Sequence, residues 1–119
     1  METHGLKIAD YKGLHNDDWC EQKVVLRVVS DCQSDELRLG VWVKPESRKS
    51  VSSKFKVVSS GQTVAEKNVK TGEPTEISIP VSVFPGFEVS FEIHSDNSVK
   101  KAGKDNRKLS FKMTSLSFI

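Results

Sequence analysis

Alanine is almost missing from this sequence, with 3 residues in 119 against 15 valines. Alanine is the strongest helix former, whereas valine is stiff at χ1 and packs well on a pleated surface. That ratio excludes an α-helical bundle and argues against alternating helices and strands. No apolar run approaches the roughly 18 residues of a membrane span. Residues 1–12 carry no apolar stretch of signal-peptide length and no small-residue cleavage site. Cysteine is scarce as well: Cys20 and Cys32 flank the apolar segment 24–29. If that segment is one strand, the thiols stand on the order of 30 Å apart. A disulfide needs Cα atoms within about 7 Å, so two free thiols and a reducing cytoplasm are expected. A large excess of one charge is also lacking, with 18 basic against 16 acidic residues and a net charge of +2. A dedicated nucleic-acid binder shows a much larger basic excess, so neither nucleic acid nor membrane is an expected partner.

The strong catalytic motifs are absent too. There is no Walker-type glycine loop, no paired-glycine dinucleotide fingerprint, no Gly-x-Ser-x-Gly elbow and no Cys-x-x-Cys. His4, His15 and His94 stand far apart, and nothing selects a Cys–His pair. No catalytic residue and no cofactor is assigned.

What is present is period-2 alternation along almost the whole chain. At 119 residues, 36% hydrophobic and 29% charged, the chain is one globular domain spanning 1–119. Leu6 and Ile8 alternate before a polar loop at 11–18. Val24, Leu26 and Val28 share a face. Leu37, Leu39, Val41 and Val43 oppose Arg38, Gly40, Trp42 and Lys44, and Lys44-Pro45 ends that strand. A Ser- and Lys-rich connection covers 46–53. A hairpin follows, with its turn at 59–62, and another turn is expected at 71–74. Ile77, Ile79 and Val81 make the next strand. Phe87, Val89, Phe91 and Ile93 alternate cleanly with Glu88, Ser90, Glu92 and His94. Leu109, Phe111 and Met113 fall out of phase with Leu116 and Phe118, which predicts a β-bulge near Thr114-Ser115. Seven or eight such strands predict an all-β, antiparallel two-sheet sandwich of jelly-roll type.

Several residues stand out for chemistry. Asn16, Asp17 and Asp18 offer oxygen ligands, yet three adjacent residues do not make a Ca²⁺ shell of six or more oxygens. They read as a loop whose side chains cap their own backbone, and no metal is assigned to Asp17 or Asp18. The basic cluster at 100–108 has no interleaved aromatic for base stacking and reads as a solvated loop. Trp19 is expected to plug one end of the sandwich from within the core. Trp42 is different, because alternation places it on the face shared with Arg38 and Lys44. An aromatic between charged hydrogen-bonding groups has the form of a sugar-stacking platform; alternatively, a loop or terminal segment covers that face.

The order of these features resembles a known family. Asp18-Trp19 precedes an alternating strand, and Leu37-Arg38-Leu39-Gly40-Val41-Trp42-Val43-Lys44-Pro45 follows. Asp105-Asn106-Arg107-Lys108-Leu109-Ser110-Phe111 leads into a last strand ending Leu116-Ser117-Phe118. Together they resemble small β-sandwich accessory modules attached to bacterial glycosyltransferases and polysaccharide-biosynthesis proteins. Asp17 stands where those modules carry a glycine, and Ser110 replaces another. The resemblance implies an anchoring role for Trp19 and an ion pair or turn for Asp105 and Arg107. It implies a non-catalytic, carbohydrate-associated domain that holds a glycan or an adjoining catalytic domain. The alternation along 37–44, independently of the resemblance, offers Trp42, Arg38 and Lys44 as sugar-binding candidates. The alternative is a structural or protein–protein interaction module without a ligand.

Overall fold

The computed structural model describes residues 1–45, 52–97 and 109–119. The described residues form nine strands and no helix: β1 (Glu2–His4), β2 (Leu6–Leu14), β3 (Trp19–Ser30), β4 (Ser34–Trp42), β5 (Ser52–Ser59), β6 (Gln62–Lys70), β7 (Thr75–Val83), β8 (Glu88–Ser95) and β9 (Phe111–Phe118). Their ladders make two layers, β2-β3-β8-β5-β6 and β1-β9-β4-β7. The layers join where Trp19 and Cys20 of β3 pair with Lys112 and Phe111 of β9. All pairings are antiparallel except β1 with β9. The two ends of the path, β6 and β7, approach each other, and Lys67 Nζ donates to the Glu76 carbonyl at 2.9 Å. This is the expected sandwich, with β1 as a short ninth strand that the hydrophobic pattern does not show.

The period-2 pattern explains the core. Leu37, Leu39, Val41 and Val43 are fully buried, as are Val24, Leu26 and Val28 on the facing layer. Phe55 of β5 and Phe111 of β9 meet edge-to-face with centroids 4.9 Å apart, which locks one layer onto the other. The expected bulge in β9 is real. Gly40 pairs with Ser115 but Val41 pairs with Met113, so Thr114 is the extra residue and both apolar runs of β9 face inward. Pro80 lies on β7, whose other edge is unpaired, so its missing N–H breaks no ladder.

Three expectations change. The polar segment 11–18 is loop only at 15–18, because β2 continues to Leu14 through two bulges. Its residues 9–12 are all exposed on a sheet edge, so no apolar alternation marks them as strand. Phe87 is not in the core. It precedes β8, in the turn after Pro85-Gly86, and stays 47% exposed while Phe91 and Ile93 are buried. Trp19 does not plug the core either; Cys20 takes the inward position and Trp19 is half-buried outside it. Of the connection expected at 46–53, Ser52 and Ser53 already belong to β5; the rest, with the basic cluster at 100–108 and its Asp105 and Arg107, lies outside the described residues.

One end of the sandwich is closed by polar groups instead of apolar ones. Ser53, Ser95 and Ser110 are buried where β5 begins, β8 ends and β9 begins. Ser110 Oγ donates to Ser95 Oγ at 2.9 Å, and Ser53 Oγ reaches Asp96 Oδ1 at 2.9 Å. Asn97 Nδ2 donates to the Ser110 carbonyl at 2.7 Å. Each buried hydroxyl has a partner, as burial demands. Ser110 is the link of that network between β8 and β9.

Candidate functional site

Both tryptophans lie on the outer surface where the start of β3 joins β9 and β4. Alternation sets their direction: Cys20 is fully buried, so Trp19 points outward, and buried Val41 and Val43 turn Trp42 the same way. In register, Trp19, Lys112 and Trp42 form one row across β3, β9 and β4. Residues two strands apart stand about 10 Å from each other on a sheet. The indole centroids are nevertheless 6.1 Å apart at an interplanar angle of 67°, so the rings lean together across Lys112 in an edge-to-face contact. Both are half-buried. Trp42 is therefore neither a bare platform nor a covered core residue, but one half of an aromatic pair set on a polar surface.

The turn at 15–18 fixes Trp19. Asp18 N–H donates to the His15 carbonyl at 3.0 Å, and His15 N–H donates to the Trp19 carbonyl at 2.9 Å. Asp18 adopts φ of 70°, a left-handed conformation that Asp tolerates better than most residues. Its carbonyl accepts the Met113 N–H at 3.0 Å, which ties the turn to β9. The acidic side chains serve this turn. Asp17 Oδ1 accepts the Trp19 N–H at 3.4 Å, and the Asp18 carboxylate pairs with the Met1 amino group. Asp17 and Asp18 thus hold backbone and terminus; among the described residues no group of three or more His, Cys, Asp or Glu is placed to hold a metal.

Gly40 lies two residues before Trp42 on the same face and shapes the surface beside it. A Cβ there would fall 2.3 Å from Ser115 Oγ and 2.5 Å from Thr114 Oγ1. The missing side chain lets those two hydroxyls lie over β4 next to the indole pair. Arg38 comes four residues before Trp42, about 13 Å along the strand, and its Nε pairs with the Glu36 carboxylate. Lys44 is exposed just past the end of β4. The structure therefore keeps Trp42, Arg38 and Lys44 on one side but spreads them along it, and brings Trp19, Lys112, Thr114 and Ser115 to Trp42 instead. Lys112 was readable as a charged residue in an alternating strand. That it falls between the two indoles depends on a register no local pattern reveals.

The thiols offer no nucleophile at this site. Burial pushes the Cys20 thiol up to about 12, aided by the carboxylates of Asp18, Asp17 and Glu21 and opposed by the Met113 backbone. A neutral buried thiol is inert. Cys20 and Cys32 are both unbonded, and no helix among the described residues is long and apolar enough to cross a membrane.

No family model matches this chain, and no curated protein matches it. Among solved structures it is similar to a β-1,3-glucan-binding CBM6 from Bacillus halodurans, at 10% identity over 99% of this chain and 98% of that one, with a TM-score of 0.42.

Proposed function

We propose that this chain is a non-catalytic glycan-binding module that holds a sugar against the outer face of its four-stranded layer, as an accessory domain of a bacterial glycan-assembly enzyme in the cytoplasm. The observation that carries the reading is the Trp19–Trp42 pair. Two large aromatic rings, distant in sequence, are kept out of the core and brought together on a surface of hydroxyls and charges. Indole surface accepts the C–H face of a sugar ring, while Thr114, Ser115 and Lys112 supply hydrogen-bonding groups beside it. Two unbonded cysteines support the reducing compartment.

Tryptophan fluorescence tests this directly, because the site contains both indoles of the chain. Titration with glycans should give a saturable change, and Trp42→Ala should abolish it. The same variant should lose about 1–2 kcal/mol of stability, between an exposed and a buried aromatic truncation. A loss above about 3 kcal/mol, with no saturable binding by the unaltered protein, would favour a structural role.

A second reading, a protein-interaction module, has one observation of its own. An apolar groove of about 190 Å³ opens between β7 and β8, closed by the β5–β6 turn, and is lined by Val64, Pro80, Val81, Phe87 and Val89 among others. Phe84 is 54% exposed nearby in the chain. This reading expects binding to a protein partner that Phe87→Ser weakens and Trp42→Ala leaves intact.

A further inference from the structure

The outer face of the five-stranded layer carries many charges, and two pairs bridge β3 and β8. Lys23 Nζ lies 3.0 Å from Glu92 Oε1, and Arg27 Nε lies 3.2 Å from Glu88 Oε1. Between β2 and β3 the charges do not bridge. Asp10 of β2 stands directly opposite Arg27 of β3, and Arg27 stands opposite Ser90 of β8. Opposite charges in that position ordinarily bridge. Here they do not: Arg27 turns to Glu88, while Asp10 Oδ1 accepts the N–H of Tyr11 at 2.9 Å. Lys12, on the same strand, has no ion-pair partner among the described residues.

The gap is a cleft of about 310 Å³ lined by Asp10, Tyr11, Lys12, Val25, Arg27 and Ser90, with Leu26 beneath. That volume is at the lower end of the roughly 300–1,000 Å³ of small-molecule sites. Register shifts in β2 between Ile8 and Asp10, and between Lys12 and Leu14, bracket the segment that forms its wall. Bulges of this kind re-aim side chains next to binding sites.

We infer that this cleft, where Asp10 and Arg27 face each other unbridged, is a second binding site and takes a neutral pyranose sugar. Its chemistry alternates around the apolar Val25: Asp10 only accepts hydrogen bonds, Arg27 and Lys12 only donate, and Ser90 does both. Vicinal sugar hydroxyls donate and accept alike, so one ring edge satisfies all four groups. An anionic ligand meets the Asp10 carboxylate, and a cationic one meets Arg27 and Lys12. A purely apolar ligand strips water from these groups and returns no hydrogen bonds, which is costly. Tyr11 completes the wall between Asp10 and Lys12, but its register partner is the inward-facing Leu26, so its ring is not one of the binding groups. The site lies on β2, β3 and β8, away from Trp42 on β4, and does not depend on the tryptophan pair.

The test is an amide-resolved NMR titration of the whole chain with neutral hexasaccharides of glucose, mannose, galactose and N-acetylglucosamine, and with a hexagalacturonate of the same length. At least one neutral sugar should shift the amides of residues 10–12, 25–27 and 90 saturably, and should do so equally in Trp42→Ala. Asp10→Ala should weaken that binding at least tenfold without moving the thermal midpoint, because Asp10 is exposed. Lys12→Ala should weaken it as well, and unlike Arg27 it disturbs no ion pair. Absence of saturable shifts at these amides with all four neutral sugars, tighter binding of the uronate, or unchanged affinity in Asp10→Ala would each overturn the inference. A protein that binds only through the tryptophans would lose every shift in Trp42→Ala.

Discussion

Cys20 and Cys32 sit at opposite ends of β3, and their surroundings make them chemically unlike. Cys20 is fully buried and Cys32 only half-buried beside Gly5. A thiol reagent should therefore label Cys32 in the folded protein and leave Cys20 untouched, while the denatured, unreduced chain should show two reactive thiols. No reactive thiol after denaturation would mean that the cysteines are oxidised. The shifted thiol also gives stability an alkaline limit. With a folded pKa of about 12 against an ordinary 9.0, Cys20 keeps its proton when folded and loses it when unfolded. The unfolded chain then holds fewer protons above pH 9, so this contribution is complete below that pH and falls toward pH 12, by about 1.4 kcal/mol per unit. Denaturation of the protein and of Cys20→Ala across pH 8–11 should show a difference in stability that shrinks as pH rises. A difference independent of pH would mean that the thiol is not desolvated.

At the scale of the strand, two aromatic residues in one alternating run test how far the pattern reaches. Phe91 is 3% exposed in mid-β8, whereas Phe87 precedes the strand at 47%. Phe91→Ala should cost about 3–5 kcal/mol and Phe87→Ala under about 1 kcal/mol, read from denaturant midpoints. Equal losses would place both in the core. The bulged strand β2 depends on Gly13, which has φ of 84° and lies so near β3 that a Cβ would stand 2.3 Å from the Lys23 carbonyl oxygen. Backbone cannot move aside as a side chain can, so Gly13→Ala should cost about 2 kcal/mol or more. A near-neutral result by thermal denaturation would show that β2 can shift along the edge of β3.

For the whole molecule, β9 is the strand on which closure depends. It pairs with β1, β3 and β4, and it contributes Phe111, Met113, Leu116 and Phe118 to the core. A chain that stops before Phe111 should lose its cooperative unfolding transition, because β4 and β7 would have no attachment to the other layer through β9. Circular dichroism during heating would show this. A truncated chain that melts cooperatively near the original midpoint would mean that the five-stranded layer folds by itself.

Much of this was determined locally. The valine-rich, alanine-poor composition and the period-2 runs set the strands, because a pleated chain must turn alternate side chains to one face. The inward set of β4 and the bulge at Thr114-Ser115 follow from the same rule. Trp42 was legible as outward-facing for that reason. Its partner was not, since Trp19 stands at the first residue of β3, where no earlier alternation shows the phase, and its place beside Trp42 comes from their shared register with Lys112. Leu6 and Ile8 marked the start of β2, but exposed edge residues such as those at 9–12 carry no hydrophobic signal, so its continuation, its bulges and the unbridged Asp10 and Arg27 were invisible. Alternation states which face a residue takes; only the register between strands distant in sequence decides which residues meet there.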